Sequence, residues 1–191
     1  MGFRTYQGNT HSENGWRICD RDECERIPVG DTATFLIVRR GDVAQALAAW
    51  ALWYHENVEP IDRYQSAPTF TDDWGWSREN NVANSNHLSG TGIDVNATQY
   101  PWGQRVMSAS RIRTIERGLA LFGGVIYWGN SWTRADQMHY QIQGDAANLR
   151  DFVARRIVNG RLQVTPPIPV YDAEADPLWH DVIYQFRGNA A

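Results

Sequence analysis

The chain contains no lysine: all 18 basic residues among its 191 are arginine. Arginine codons are GC-rich, so this agrees with a GC-rich genome and carries no mechanistic information. A basic stripe is also missing, and the net charge is −4, which argues against nucleic acid as a partner. No apolar run reaches the roughly 18 residues that a membrane span needs. The start, Met1-Gly2-Phe3-Arg4-Thr5, lacks the charged and apolar regions of a signal peptide, which predicts synthesis in a cytoplasm. Only two cysteines occur, Cys19 and Cys24, in a charged segment. They read either as a local disulfide or part of a second metal site, or as two unpaired thiols in a surface loop. Cytoplasmic synthesis favours the thiols. Internal repeats and low-complexity blocks are absent.

What is present alternates between two periods. Residues 1–31 are polar and Gly-rich and predict an irregular arm. Thr34 to Arg39 is β-branched and apolar, a strand. Asp42 is a good N-cap for a helix whose apolar face is Val43, Ala46, Leu47, Trp50 and Tyr54, limited by Pro60. Residues 61–86 read as a long loop. Val106 to Phe122 predicts a second helix, stopped by Gly123-Gly124; Val125 to Trp128 and Met138 to Ile142 predict strands. Asp145 caps a third helix with Leu149, Phe152, Val153 and Ile157 as its stripe, and the Pro-rich remainder reads as an extended tail. The expectation is one α+β domain, a small antiparallel sheet with helices packed on it. It divides into an arm at 1–31, a core at 32–160 and a tail at 161–191.

The chemistry concentrates in Ser85-Asn86-His87-Leu88-Ser89-Gly90-Thr91-Gly92-Ile93-Asp94. A spacing of seven on a straight strand would send His87 and Asp94 to opposite faces, but Gly90 and Gly92 permit a reorientation. Imidazole plus carboxylate is two-thirds of a catalytic zinc site. His139 can complete it, with Asp136 close enough in sequence to act as a base. Positions three apart on a strand face opposite ways, so Asp136 is expected on a turn or bulge just before the His139 strand. The other reading is that Asp136 simply caps that turn.

The pattern Ser85-x-His87-x-x-Gly90-x-Gly92-x-Asp94, followed by Asp136-x-x-His139, resembles the zinc-dependent peptidoglycan peptidases. That family includes D-alanyl-D-alanine carboxypeptidases and the L-alanyl-D-glutamate endopeptidases of phage endolysins. The flanks Ser12-Glu13-Asn14-Gly15-Trp16, Val58-Glu59-Pro60 and Trp74-Gly75-Trp76 look like the peptidase domain of actinobacteriophage lysins. One departure is Gly92, where the family usually has Ala; the smaller residue is expected to loosen the turn. The resemblance implies one Zn2+ per chain on His87, Asp94 and His139, in a cleft on the sheet, and Asp136 shuttling a proton from water to the leaving amine. It also implies an Arg near the metal, for which Arg78 is the candidate. Ser85 either contacts substrate or caps a turn. Trp74, Trp76, Trp102, Trp128 and Trp132 flank the motifs, as core or as walls of a cleft; Trp76 and Trp128 are the candidates for substrate contact. His11, His55 and His180 read as structural.

The expected function is hydrolysis of the peptidoglycan stem peptide at the L-alanyl-D-glutamate bond during phage-induced lysis, by a monomer released to the wall with a holin. The alternatives are a D-alanyl-D-alanine carboxypeptidase and a catalytically silent wall-binding module that keeps its metal.

Overall fold

The computed structural model describes residues 4–61 and 72–163. At its centre lies helix α1 (Asp42–Asn57), with Val43, Ala44, Ala46, Leu47, Ala49, Trp50, Ala51 and Tyr54 buried. An Ala-rich run favours helix intrinsically, and the small side chains let neighbouring elements approach from several sides. Asp42 is the first helical residue rather than the cap: Gly41, at φ 83°, takes the N-cap position, and the carboxylate sits in the first turn where the helix dipole favours it. The helix ends with the Val58 N–H donating to the Tyr54 carbonyl, two residues before Pro60.

Two antiparallel sheets flank this helix. Strands β1 (Cys24–Pro28) and β2 (Phe35–Arg39) form a hairpin in which Cys24 faces Arg39. The arm expected to be irregular therefore contributes a strand. Charges at Asp20, Arg21, Asp22, Glu23, Glu25 and Arg26 hide it in the sequence, because only Cys24 and Ile27 of β1 are buried. The second sheet has the order β3-β5-β4, from β3 (Gly92–Asp94), β4 (Ile126–Trp128) and β5 (His139–Ile142). Its inner face sets Ile93 and Tyr140 against α1, where Tyr140 packs 5.1 Å from the Trp50 ring.

Helix α2 (Ala109–Leu121) starts later than expected, capped by Ser108 on the Arg111 N–H; Met107 is buried and Val106 exposed. Glu59 ties α1 to α2: its carboxylate accepts from the hydroxyls of Tyr54 at 2.7 Å and Tyr100 at 2.5 Å, and pairs with Arg111 at 3.0 Å. Helix α3 (Ala146–Arg156) is capped by Asp145, which accepts from Ala147 and Asn148. Ile157 leaves the helix to open a short hairpin, β6 (Ile157–Val158) with β7 (Arg161–Leu162), so the first residues assigned to the tail pair with the core. His180 and the tail beyond residue 163, and residues 62–71 of the long loop, lie outside the described residues.

Cys19 and Cys24 are buried rather than on a surface loop, with sulfurs hydrogen-bonded at 3.6 Å and no disulfide between them. The Cys24 Sγ lies under Gly90, where an added Cβ would come within 3.1 Å of it and 2.7 Å of the Arg39 nitrogen. No helix among the described residues is long and apolar enough to cross a membrane. The architecture is α+β, three helices with small antiparallel sheets.

Candidate metal centre

Register brings the first two functional groups together. Asp94 on β3 stands directly opposite His139 on β5, so their side chains share a face. His87 arrives from a single 3-10 turn, Asn86–Ser89, whose N-cap Ser85 accepts from the His87 N–H. Gly90 closes that turn at φ 68°, the left-handed region a side chain rarely adopts. The reversal aims the imidazole back at β3.

The outcome is a compact buried cluster. His139 Nδ1 lies 2.7 Å from one oxygen of Asp94, and His87 Nε2 lies 3.1 Å from the other. One ligand atom from each residue falls within 4.8 Å of the other two. His87 Nδ1 is 2.7 Å from the Gly75 carbonyl oxygen. A carbonyl only accepts, so Nδ1 carries a hydrogen, and Nε2, which donates to Asp94 in the metal-free chain, is the nitrogen that can turn its lone pair on a metal.

Gly92 faces Gln141 on the same side of the sheet. It lies within a strand at an ordinary φ, so it does not loosen a turn; it makes room. A Cβ there would come within 2.7 Å of His139 Cε1 and 3.1 Å of Asn86 Cβ.

Charge is distributed unevenly. Burial opposes ionisation of Asp94, but the His87 charge and hydrogen bonds from both imidazoles outweigh it and hold the carboxyl below its usual range. Burial likewise pulls His87 down, yet the adjacent Asp94 carboxylate and the Gly75 carbonyl raise it overall. Asp136 differs. It sits on a turn closed by the His139 N–H on the Asp136 carbonyl, just before β5. Its Oδ1 is buried with no hydrogen-bond partner among the described residues. Burial, then repulsion from Asp94, push its carboxyl up to about 6, against the pull of His139 and His87.

The cluster and Asp136 line one cavity of about 590 Å³, together with Glu13, Ser85, Trp74, Trp102, Trp132 and Arg134. A buried carboxylate, two imidazoles at metal-ligand spacing and an unpartnered acid beside them suit a divalent metal with mixed nitrogen and oxygen ligation. The residues present therefore fit a zinc ion.

Residues 78–142 match the model of a peptidase family described as D-alanyl-D-alanine carboxypeptidase. The match supports a zinc-dependent hydrolase. It spans Ser85 to Asp94 and Asp136 to His139, and leaves the β1–β2 hairpin and the arm outside. No curated protein and no solved structure matches the chain.

Other candidates are placed elsewhere. Arg78 is exposed and absent from the cavity lining; its backbone carbonyl accepts from Arg4. Trp76 faces the arm, its Nε1 donating to the Cys19 carbonyl at 3.1 Å, with the Arg4 guanidinium 5.7 Å from its ring. Trp128 is core: strand alternation turns it inward to stack on Tyr140, and its Nε1 donates to the Gln137 carbonyl. The aromatic walls are instead Trp74, Trp102 and Trp132, the last 5.3 Å from the His139 ring. Ser85 both caps the turn and lines the cavity. Sequence reasoning missed Arg134 as the cation of the lining. Its guanidinium lies 3.5 Å over the Trp102 ring, and no described carboxylate pairs with it.

Proposed function

We propose that the protein is a zinc metallopeptidase that hydrolyses the stem peptide of bacterial peptidoglycan, at the L-alanyl-D-glutamate bond, for phage-induced lysis of the host. The carrying observation is Asp136: a buried, unpartnered carboxyl beside a three-ligand cluster is a poor structural element and a good proton acceptor. Its presence also weighs against a silent wall-binding module, which needs no base.

His87 Nε2, one oxygen of Asp94 and a nitrogen of His139 would hold the metal. When bound, the metal supplies Lewis-acid chemistry, polarising a carbonyl and making water acidic enough to attack near neutral pH. The chain's own groups do the rest. Asp136 takes the proton from the attacking water and returns it to the leaving amine. Trp74, Trp102 and Trp132 wall the cleft, which keeps the peptide in place and limits bulk water. Arg134 offers a guanidinium to a substrate carboxylate or carbonyl. The enzyme would act on the cell wall after release, as a monomer.

A second reading, D-alanyl-D-alanine carboxypeptidase, draws on the description of the matching family and on Arg134, since a terminal carboxylate needs a fixed cation. Digestion of peptidoglycan followed by dinitrophenylation and hydrolysis separates the two. Labelled glutamate is expected. Release of single D-alanine from pentapeptide stems, without a new glutamate amine, establishes the carboxypeptidase instead.

A further inference from the structure

Asn86 and Gln141 sit buried beside the metal ligands and face Glu13 of the arm, a residue outside the matched segment. Their amides can be oriented by following which atoms donate and which accept. The Asn14 backbone N–H donates to Asn86 Oδ1 at 3.1 Å. That turns Asn86 Nδ2 toward Glu13 Oε2, at 3.2 Å, and toward Gln141 Oε1. A carboxylate only accepts, so Gln141 presents Nε2 to Glu13 Oε2, at 2.9 Å. Gln141 Oε1 is then left facing His139 Nε2, at 3.2 Å. An amide oxygen also only accepts. His139 Nε2 must therefore carry a hydrogen, which leaves Nδ1, the nitrogen 2.7 Å from Asp94 and donating to that carboxylate in the metal-free chain, as the one that gives up its hydrogen to a metal.

We propose that Glu13 is a positioning residue that, through Gln141, locks His139 in the ring form whose Nδ1 ligates the metal. The device differs from the one at His87, where a backbone carbonyl sets the ring directly. Here a charge on the arm polarises a neutral amide, and the amide orients the imidazole. Further hydrogen bonds anchor the arm. The Glu13 N–H donates to the Asn84 carbonyl at 2.7 Å, and Asn14 Nδ2 donates to Thr91 Oγ1 and to the Ile142 carbonyl, both at 2.9 Å. Gly92 permits the arrangement, because a side chain there would occupy the space of the His139 ring.

The proposal rests on the metal-site reading but not on which bond is cut, so its test is zinc binding by the full-length chain. Zinc affinity is measured by competition with a chromophoric chelator for wild type, Glu13→Ala and Glu13→Gln. Glu13→Ala should bind about ten- to a hundredfold more weakly, the usual effect of removing such outer partners. Glu13→Gln keeps an acceptor oxygen and should lose less. In the zinc-loaded wild type, 15N spectra should show His139 ligated through Nδ1 with a slowly exchanging Nε2 hydrogen, and that hydrogen should exchange faster in Glu13→Ala. A folding defect in Glu13→Ala would show as a lower melting temperature without zinc; Glu13→Gln then carries the comparison. Ligation of wild-type His139 through Nε2, or affinities of both variants within twofold of wild type, overturns the relay. Wild type that binds no zinc overturns the metal site and the relay together.

Discussion

Asp136 combines two behaviours. Its carboxyl, raised from an ordinary 3.8 to about 6, holds its proton longer in the metal-free folded chain than in the unfolded one. Its contribution to stability is then fully present below 3.8 and is lost as pH rises through about 6. Metal-free Asp136→Asn should match wild type in melting temperature below pH 3.8 and exceed it above pH 6, measured in chelator. With zinc present the same variant should retain the metal yet turn over about a hundredfold more slowly, the usual scale for a lost general base. Wild-type-like turnover would move the base elsewhere. Arg134 offers a complementary test. Arg134→Ala should raise KM about tenfold, what one charge-assisted hydrogen bond is worth, with kcat little changed. An unchanged KM removes Arg134 from substrate recognition. At this scale the clustering of His87, Asp94 and His139, with Asp136 beside them, was legible in the sequence, because their spacing is a compact pattern. The sequence left the link between Glu13 and Gln141 unread, because a pair 128 residues apart carries no local signal. Nor does composition tell a Trp in the wall from one in the core: Trp132 and Trp128 differ only by where β4 ends.

Elements were legible where periodicity was strong. The three helices and strands β2, β4 and β5 follow from apolar spacing to within a few residues. β1 was hidden by its charged outer face, and β6 and β7, at two residues each, are too short to show a period. Packing between elements can also reverse a local preference. Gly118 lies within α2, where Ala would gain about 1 kcal/mol of helix propensity. A Cβ at Gly118 would stand 2.2 Å from the Trp53 ring on α1. Gly118→Ala should therefore destabilise the fold by about 2 kcal/mol in urea unfolding, an overpacking cost that exceeds the propensity gain. A stabilised variant would show that α1 and α2 separate readily.

For the whole molecule, a bound metal would act as a clasp. His87, Asp94 and His139 lie on a 3-10 turn, β3 and β5, so an unfolded chain does not present them together. Zinc at a thousandfold excess over its dissociation constant should stabilise the protein by about 4 kcal/mol. His139→Ala should abolish that gain in a thermal melt; a full zinc-dependent shift in this variant would break the ligand assignment. Glu59 is the second clasp, joining Tyr54, Tyr100 and Arg111. Glu59→Ala should cost about 3 kcal/mol with or without zinc, since it strands the partners of a buried charge. Loss of stability only in the zinc-loaded form would contradict that separation.

The bond between Glu13 and Gln141 also has a consequence in time. A ribosome delivers Glu13 early and Gln141 128 residues later. Until β5 emerges, the nascent chain carries the arm and the His87 turn but neither His139 nor the amide that orients it. Loop-closure entropy must be met before such distant partners reward each other, so the contact belongs among the late steps of folding. A chain stalled before β5 is thus a protein without a metal site, and the three ligands come together only once that strand has emerged.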